Sequence, residues 1–453
     1  MNARIVVASF IGTAIEFYDF YVYATAAALV LGPTFFPASS QSAQLLSAFA
    51  TFAIAFIARP FGSAIFGHFG DRSGRKSTLV ASLIIMGVCT TLIGFLPGYS
   101  QIGYWAPLFL CVLRFGQGIG LGGEWGGAAL LAIENAPSSR RAWFGMFPQL
   151  GAPVGFIAAN GLFLALAASM GDAEFRRWGW RVPFLMSAVL VFIGLYVRLK
   201  LTETRVFAEA KCREQLARVP LGVLIREYGL QTMLGTLAMV ACYALFYLST
   251  VFSLGYGTTA LSFTREQFLT LECFAILGFL IAIPISASLS DRFGRRSVLL
   301  VGLTLAALSG FLFGPMLGSG STGLISLLLF GQLFVMGVIF APMGAYLPEL
   351  FPTRVRYTGA SLTYNLGGIL GASFAPYVAQ RLAIQGGLGW VGAYLTVASL
   401  VSLGAVLLIG ETAGVDLLPE PTAAGHYVAP QQTDEPYAAG GPKTRPAGQD
   451  ITS

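Results

Sequence analysis

Charge is what this chain lacks. Only 11% of its 453 residues are charged, whereas a soluble globular domain carries roughly 25%. That excludes a soluble enzyme or scaffold. Histidine is nearly missing: His68 and His426 are the only two, so a histidine-based metal centre is excluded. The five cysteines are scattered at no spacing that suggests a disulfide framework or a zinc site. A phosphate-cradling loop is missing too. Gly74-Arg75-Lys76-Ser77-Thr78 comes nearest, but Arg75 stands where the lysine belongs and Phe69 where the first glycine belongs. An ATP-driven pump is therefore excluded, and so is an intramembrane enzyme, since no nucleophile–base pair or metal cluster is in view. No cofactor is expected.

What the chain does have is apolar length. Hydrophobic residues make up 55%, and the mean hydropathy is +0.72. A spanning helix takes about 20 apolar residues. Runs at 5–31, 44–68, 78–96, 105–133, 142–169, 182–200, 229–255, 268–289, 298–318, 322–347, 358–384 and 389–409 predict twelve such helices. The first run carries Glu16 and Asp19 and is too long for a cleaved signal, so it reads as span one. Twelve spans put both termini on one face. Of 27 Lys and Arg, twenty fall on that face and five opposite (Arg176, Arg177, Arg181, Arg265, Arg381), with Arg59 and Arg114 inside spans. This bias predicts cytoplasmic termini in a cell inner membrane. It also accounts for the net charge of +6 without a nucleic-acid partner. Residues 1–200 and 229–410 are expected to be six-helix bundles, 201–228 a charged cytoplasmic linker and 411–453 a disordered cytoplasmic tail.

The chain repeats itself. Asp71-Arg72-x-Gly74-Arg75-Lys76 returns as Asp291-Arg292-x-Gly294-Arg295-Arg296. Glu134-x-x-Pro137-x-x-x-Arg141 returns as Glu349-x-x-Pro352-x-x-x-Arg356, and Glu203-Thr204 as Glu411-Thr412. The pairs follow the second, fourth and sixth span of each half. The fold expected is thus an all-α membrane protein of two parallel six-helix repeats, whose rocking exposes a central path to either side. That mechanics suits a transporter.

The loop after span two resembles the signature of the major facilitator superfamily. Further strings resemble its metabolite:proton symporter family: Gly12-Thr13-Ala14-Ile15-Glu16-Phe17-Tyr18-Asp19-Phe20, Leu121-Gly122-Gly123-Glu124-Trp125-Gly126-Gly127, Gly179-Trp180-Arg181-Val182-Pro183-Phe184, and Glu349 through Gly359. The resemblance runs from span one to span twelve. It implies proton-coupled uptake of a small polar metabolite, in a family whose members carry α-ketoglutarate, citrate, shikimate, proline or betaine. The second loop motif has Ala287 where the first has Gly67, and residues 411–453 show no heptads.

Charges inside spans are costly and are functional candidates by default. At about 1.5 Å per residue, Glu16, Asp19, Arg59 and Arg114 fall near one depth. They are expected to form a neutral cluster in which protonating Glu16 or Asp19 frees an arginine for a solute anion. Neighbouring aromatics, Tyr18 among them, make the surroundings apolar and favour the protonated acid. Arg59, Arg114, Gln117 and Tyr18 are candidate solute contacts, with Tyr243 and Tyr247 of span seven and Tyr364 and Asn365 of span eleven as the opposite wall. The glycines of span four read as helix packing. Glu272 in span eight is a weaker candidate for a proton site. A latch on the terminal face is expected from Gly67, Asp71, Arg72, Gly74, Arg75, Lys76, Glu134 and Arg141 in the first half. Asp291, Arg292, Arg295, Glu349 and Arg356 would be its counterpart, with aspartates capping helix N-termini of the other half.

The leading expectation is a proton-driven symporter for a small organic acid, whose partners are solute, protons and lipid, with no obligatory protein partner. Two midplane arginines suit an anion. A proton-coupled exporter, with a wide apolar cavity, and a proline or betaine symporter are the rivals.

Overall fold

The computed structural model describes residues 3–37, 41–73, 75–199 and 220–417. Eleven helices among them are long and apolar enough to span a membrane. They are Val6–Phe35, Ala43–Gly70, Lys76–Phe95, Trp105–Glu134, Ser138–Ser169, Gly179–Leu199, Gly229–Thr259, Arg265–Phe293, Arg295–Leu317, Thr322–Glu349 and Leu388–Leu408, here spans one to ten and twelve. Span eleven is assembled from Arg356–Gly368, a π-helical turn Ile369–Ser373 and Ala375–Gly386. Its first part carries Arg356, Thr358, Ser361, Thr363, Tyr364 and Asn365, all buried, so it faces protein rather than lipid. Large apolar side chains such as Phe61, Phe192, Phe311 and Leu408 are exposed around the outside, as a lipid-facing surface requires.

The two halves repeat each other in packing as well as in sequence. Span one packs on five and six, two on four, and three on four and six. Seven packs on eleven and twelve, eight on ten, and nine on ten and twelve. Spans one and seven even share a π-helical turn, Ala27–Leu31 and Leu248–Phe252. The halves meet through five against eight and two against eleven, contacts that exchange under the same repeat. The parallel duplication expected from sequence is therefore the architecture found.

Short-range chemistry sets the helix ends. Thr264 begins span eight with a capping box: its hydroxyl accepts the Gln267 N–H at 3.2 Å, and the Gln267 side chain accepts the Thr264 N–H at 3.0 Å. Spans two and four cross closely because glycines remove side chains at the contact. A Cβ at Gly118 would strike the Ala55 carbonyl, one at Gly122 the Arg59 carbonyl, and one at Gly62 the Ile119 carbonyl. Gly331, by contrast, has open space around it. Gly122→Ala is expected to lower thermal stability by several degrees in detergent, because backbone must move. Gly331→Ala should leave it unchanged. Equal melting curves for the two variants would remove the packing role from the span-four glycines.

The region after span twelve departs from expectation. Residues 411–417 are placed against the bundle rather than loose. Glu411 accepts the N–H groups of Arg295 and Arg296 at 2.9 and 3.0 Å, capping the start of span nine. Leu417 is buried with Leu130, Ile133 and Ala142 of the first half and Ala345 and Tyr357 of the second. A composition rich in Gly, Pro and polar residues hid one acidic cap and one apolar anchor. Residues 418–453, residue 200 and 201–219 of the expected linker lie outside the described residues. The linker's last part forms a helix, Pro220–Glu227, seated through Leu224 on Phe351 and Val355.

Candidate solute path and its two closures

The four charges singled out at midspan all belong to the first half. Glu16, Asp19, Arg59 and Arg114 are each at most 5% exposed, which keeps all four off lipid. They do not form the compact neutral cluster expected. Among the described residues, neither Arg59 nor Arg114 has a carboxylate within 4 Å, the ion-pair limit. Aromatic rings hold them instead. The Arg59 guanidinium lies 4.4 Å from the Phe20 ring centroid and 4.2 Å from that of Phe56. Arg114 lies 3.7 Å from the Tyr23 centroid, with Phe20 and Phe52 at 5.4 and 5.3 Å. A planar guanidinium is weakly hydrated and stacks well on such faces. Arg114 donates to the Gln117 side chain, but its Nε and second terminal nitrogen have no hydrogen-bond partner, and neither does Arg59 Nε. Buried donors are ordinarily satisfied, so this is a site with unused capacity for an acceptor.

The acids divide. Glu16 interacts electrostatically with Arg59 and, from span six, Arg198. Asp19 has Ser187 and Thr90 inside the bundle as its polar neighbours, and neither of its carboxyl oxygens has a hydrogen-bond partner. Residues three apart on a helix differ by about 60° in direction, enough to send these two carboxylates to different neighbours. Gln117 is also spent inside the bundle: its amide donates to Thr90 Oγ1 at 2.8 Å and the Asp19 carbonyl at 3.2 Å. Tyr18 turns inward likewise, its hydroxyl donating to the Pro183 carbonyl at 2.8 Å.

The opposite wall is aromatic. Tyr243 and Tyr247 stack at 6.4 Å, and Tyr364 lies 5.3 Å from Tyr243. Two residues not singled out from sequence complete it. Trp125 stacks flat on Tyr364 across the halves, at 4.0 Å and 3°. Tyr21 stacks on Phe246 at 5.2 Å. Trp125 donates to Gln149 at 3.0 Å, and Gln149 donates to the Phe340 carbonyl at 2.8 Å, again across the halves. Asn365 acts as a clasp, donating to Ser63 Oγ at 2.8 Å and the Gly122 carbonyl at 3.1 Å.

Arg198 was not singled out from sequence, where it was only one of the twenty basic residues counted on the face of the termini. It is 2% exposed near the end of span six and forms an ion pair with Glu124. The helical break at Gly123 separates Glu124 from Arg114 and Gln117 on the same span. The need of buried Glu124 for a cation was the signal available in the sequence.

Both ends of the path are closed. At the face bearing the termini, Asp291 accepts the Ala142 and Trp143 N–H groups at 3.0 and 2.9 Å. The N-terminus of span five has no side-chain cap of its own, and the other half supplies it. Arg295 pairs with Asp291 at 3.1 Å and with Glu349 at 3.4 Å, and Arg141 reaches Glu349 at 3.8 Å. Glu134 pairs with Arg356 at 3.7 Å. Arg356 also donates to the Leu417 carbonyl at 3.3 Å, and Arg141 donates to that of Val415, so residues 411–417 bind both halves. A Cβ at Gly67 would meet Thr358 Oγ1 at 2.9 Å, so that glycine lets spans two and eleven touch. Lys76 donates to the Leu199 carbonyl at 2.6 Å, closing the end of span six. Arg292, expected in the latch, is exposed instead beside Phe293, because it points one residue away from the Asp291 face. Gly74, and the side chains of Asp71, Arg72 and Arg75, lie outside the described residues. At the opposite face, Arg265 pairs with Asp172 across the halves, beside a cavity of about 610 Å³ lined in part by Gln44 and Thr259.

Two pseudo-symmetric six-helix halves meeting around buried arginines are the architecture of a membrane transporter. Comparison with known proteins agrees. A family model described as "Sugar (and other) transporter" matches residues 5–226, and one described as "Major Facilitator Superfamily" matches residues 234–436. The chain is 54% identical over 414 residues to the inner membrane metabolite transport protein YhjE of Escherichia coli K12, covering 90% of this chain and 94% of that protein. It is 37% identical over 421 residues to the shikimate transporter of the same organism, covering 90% and 94%. The solved proton:xylose symporter XylE superposes with a TM-score of 0.71 at 17% identity, covering 91% of this chain and 97% of that one. The chain belongs to the major facilitator superfamily, among its metabolite permeases. It is a multi-pass membrane protein that carries small-molecule solutes, and not an enzyme.

Proposed function

We propose that the protein accumulates a small organic acid in symport with protons, working from the plasma membrane with both termini cytoplasmic and no cofactor. The observation that carries this reading is the pair of buried guanidiniums, Arg59 and Arg114, which have unpartnered N–H groups and, among the described residues, no carboxylate at ion-pair distance. A carboxylate solute would supply the missing acceptors, and an arginine fork suits it. Glu16, coupled electrostatically to Arg59, is the acid through which a proton governs that arginine. Ionised, it competes with the solute for Arg59; protonated, it releases the arginine. Tyr21, Tyr243, Tyr247 and Tyr364 line the remaining wall. Asp19, Gln117 and Tyr18 act behind this layer by fixing span one, and Asn365 acts in closure. The similarity to a shikimate transporter supports an acid solute.

The test is uptake in right-side-out proteoliposomes under an imposed pH gradient. Labelled α-ketoglutarate, shikimate, citrate, proline and betaine are each offered with and without a protonophore. Protonophore-sensitive accumulation of an acid is expected. Accumulation of proline or betaine alone would overturn the arginines as an anion site. Drug efflux from inverted vesicles, with no uptake of any of the five, would overturn symport.

A further inference from the structure

We propose that Glu272 of span eight is a second proton-binding site, and that its protonation locks the face opposite the termini. Glu272 is 1% exposed and sits in the half of span eight nearer that face. One carboxyl oxygen accepts the Asn160 amide at 3.0 Å, and Asn160 belongs to span five of the other half. Asn160 is itself oriented by Thr25 of span one, whose hydroxyl donates to the amide oxygen. The other carboxyl oxygen, Oε1, is buried without a partner.

Among the described residues no cation acts on Glu272; burial and the Asn160 hydrogen bond dominate its surroundings. Span five from Ala142 to Ser169, span ten from Thr322 to Ala345 and span nine from Ser297 to Leu317 carry no titratable side chain. The Cys273 thiol is next in the chain; span one, whose Thr25 orients Asn160, carries Tyr21 and Tyr23, and span seven carries Tyr256 near its end. Arg265 and Glu266 stand at the outer end of span eight, where Arg265 is already paired with Asp172. An isolated carboxylate cannot be buried in such a place without neutralising. The closed arrangement therefore holds the carboxylic acid, with its proton on Oε1 and Asn160 bonded to Oε2. When spans five and eight part at this end, water reaches the group and the O–H bond releases its proton to it. The halves then cannot close there until a proton is taken up from the same side. Glu272 and Asn160 thereby make closure of this face conditional on a proton, at a place separate from the arginines.

This inference rests on the proton coupling proposed above, but its readout is independent of solute. The full chain, with its native cysteines replaced by alanine, carries spin labels at Gln44→Cys and Thr259→Cys, one on each half at the outer mouth. The distance between labels is measured in lipid nanodiscs from acidic to alkaline pH without solute. The parent is expected to pass from a short to a long distance as pH rises. Glu272→Gln, a permanent mimic of the protonated form, is expected to stay short throughout, with an open population at alkaline pH at least about tenfold lower. Glu272→Asp should restore the pH response. Asn160→Ala weakens the closed form and should move half-opening to lower pH by about one unit. A pH-independent parent, or a Glu272→Gln variant that opens with pH like the parent, would overturn the inference. Uptake that ignores a protonophore while the distance still follows pH would instead sink the symport reading and leave this one standing.

Discussion

Arg114→Met is expected to reduce kcat/KM for acid uptake by about 100-fold or more while raising the melting temperature. The activity term comes from two charge-assisted hydrogen bonds to the solute, each about 1.5–3 kcal/mol, with every 1.4 kcal/mol worth about tenfold. The stability term has the opposite sign. In the closed, solute-free arrangement two Arg114 nitrogens are buried without partners, so an apolar side chain of similar length relieves a cost. Arg114→Lys should fare little better in transport, since an ammonium reproduces neither the fork nor the stacking on Tyr23. Arg198→Met is the control. It abandons Glu124 as an unpaired buried carboxylate and is expected to cost about 3–5 kcal/mol of stability. Uptake assays and melting curves on the same preparations separate the two. A lowered melting point for Arg114→Met with transport intact would make Arg114 structural.

Asp291→Ala is expected to shift the closed face at the termini toward opening by roughly 100-fold. Its carboxylate accepts two N–H groups from the uncapped start of span five. It also holds Arg295, which in turn holds Glu349. Two charge-assisted bonds at about 1.5 kcal/mol each give about 3 kcal/mol. Asp291→Asn keeps an acceptor and loses the charge at a helix N-terminus, worth up to about 2 kcal/mol, so a shift of roughly tenfold is expected. Spin-label distances across that face report the population directly. Unchanged distances in both variants would show that the latch rests on Glu134, Arg356 and residues 411–417 instead.

The fold was largely legible because lipid leaves few choices. Backbone must be satisfied within each helix, so long apolar runs identify themselves, and repeated loop motifs reveal the duplication. The site was legible in its membership and poorly legible in its pairing. Burial of Arg59, Arg114 and Glu16 follows from their depth. That Phe20, Phe56 and Tyr23 rather than Glu16 and Asp19 flank the arginines depends on rotamers and helix rotation, which spacing along a chain does not encode. Arg198 shows the same limit. Counting it among loop charges was reasonable topology, yet one turn of helix carries its side chain back to Glu124. Trp125 was hidden for another reason: its partner Tyr364 comes from the other half of the chain.

Glu272 and Asp291 lie nineteen residues apart on span eight, a separation of about 28 Å. Both fasten to span five, one near each end. The two helices are thus held together at two widely separated levels. With one end released the pair can part there while the other stays held, and water can thread the molecule only if the closures at both ends are lost at once. If each closure is undone in roughly 1% of molecules and the two act independently, both are undone in roughly one in ten thousand. A membrane that stores its energy as a proton gradient depends on that product staying small, and under the Glu272 proposal one pair of helices contributes to both of its factors.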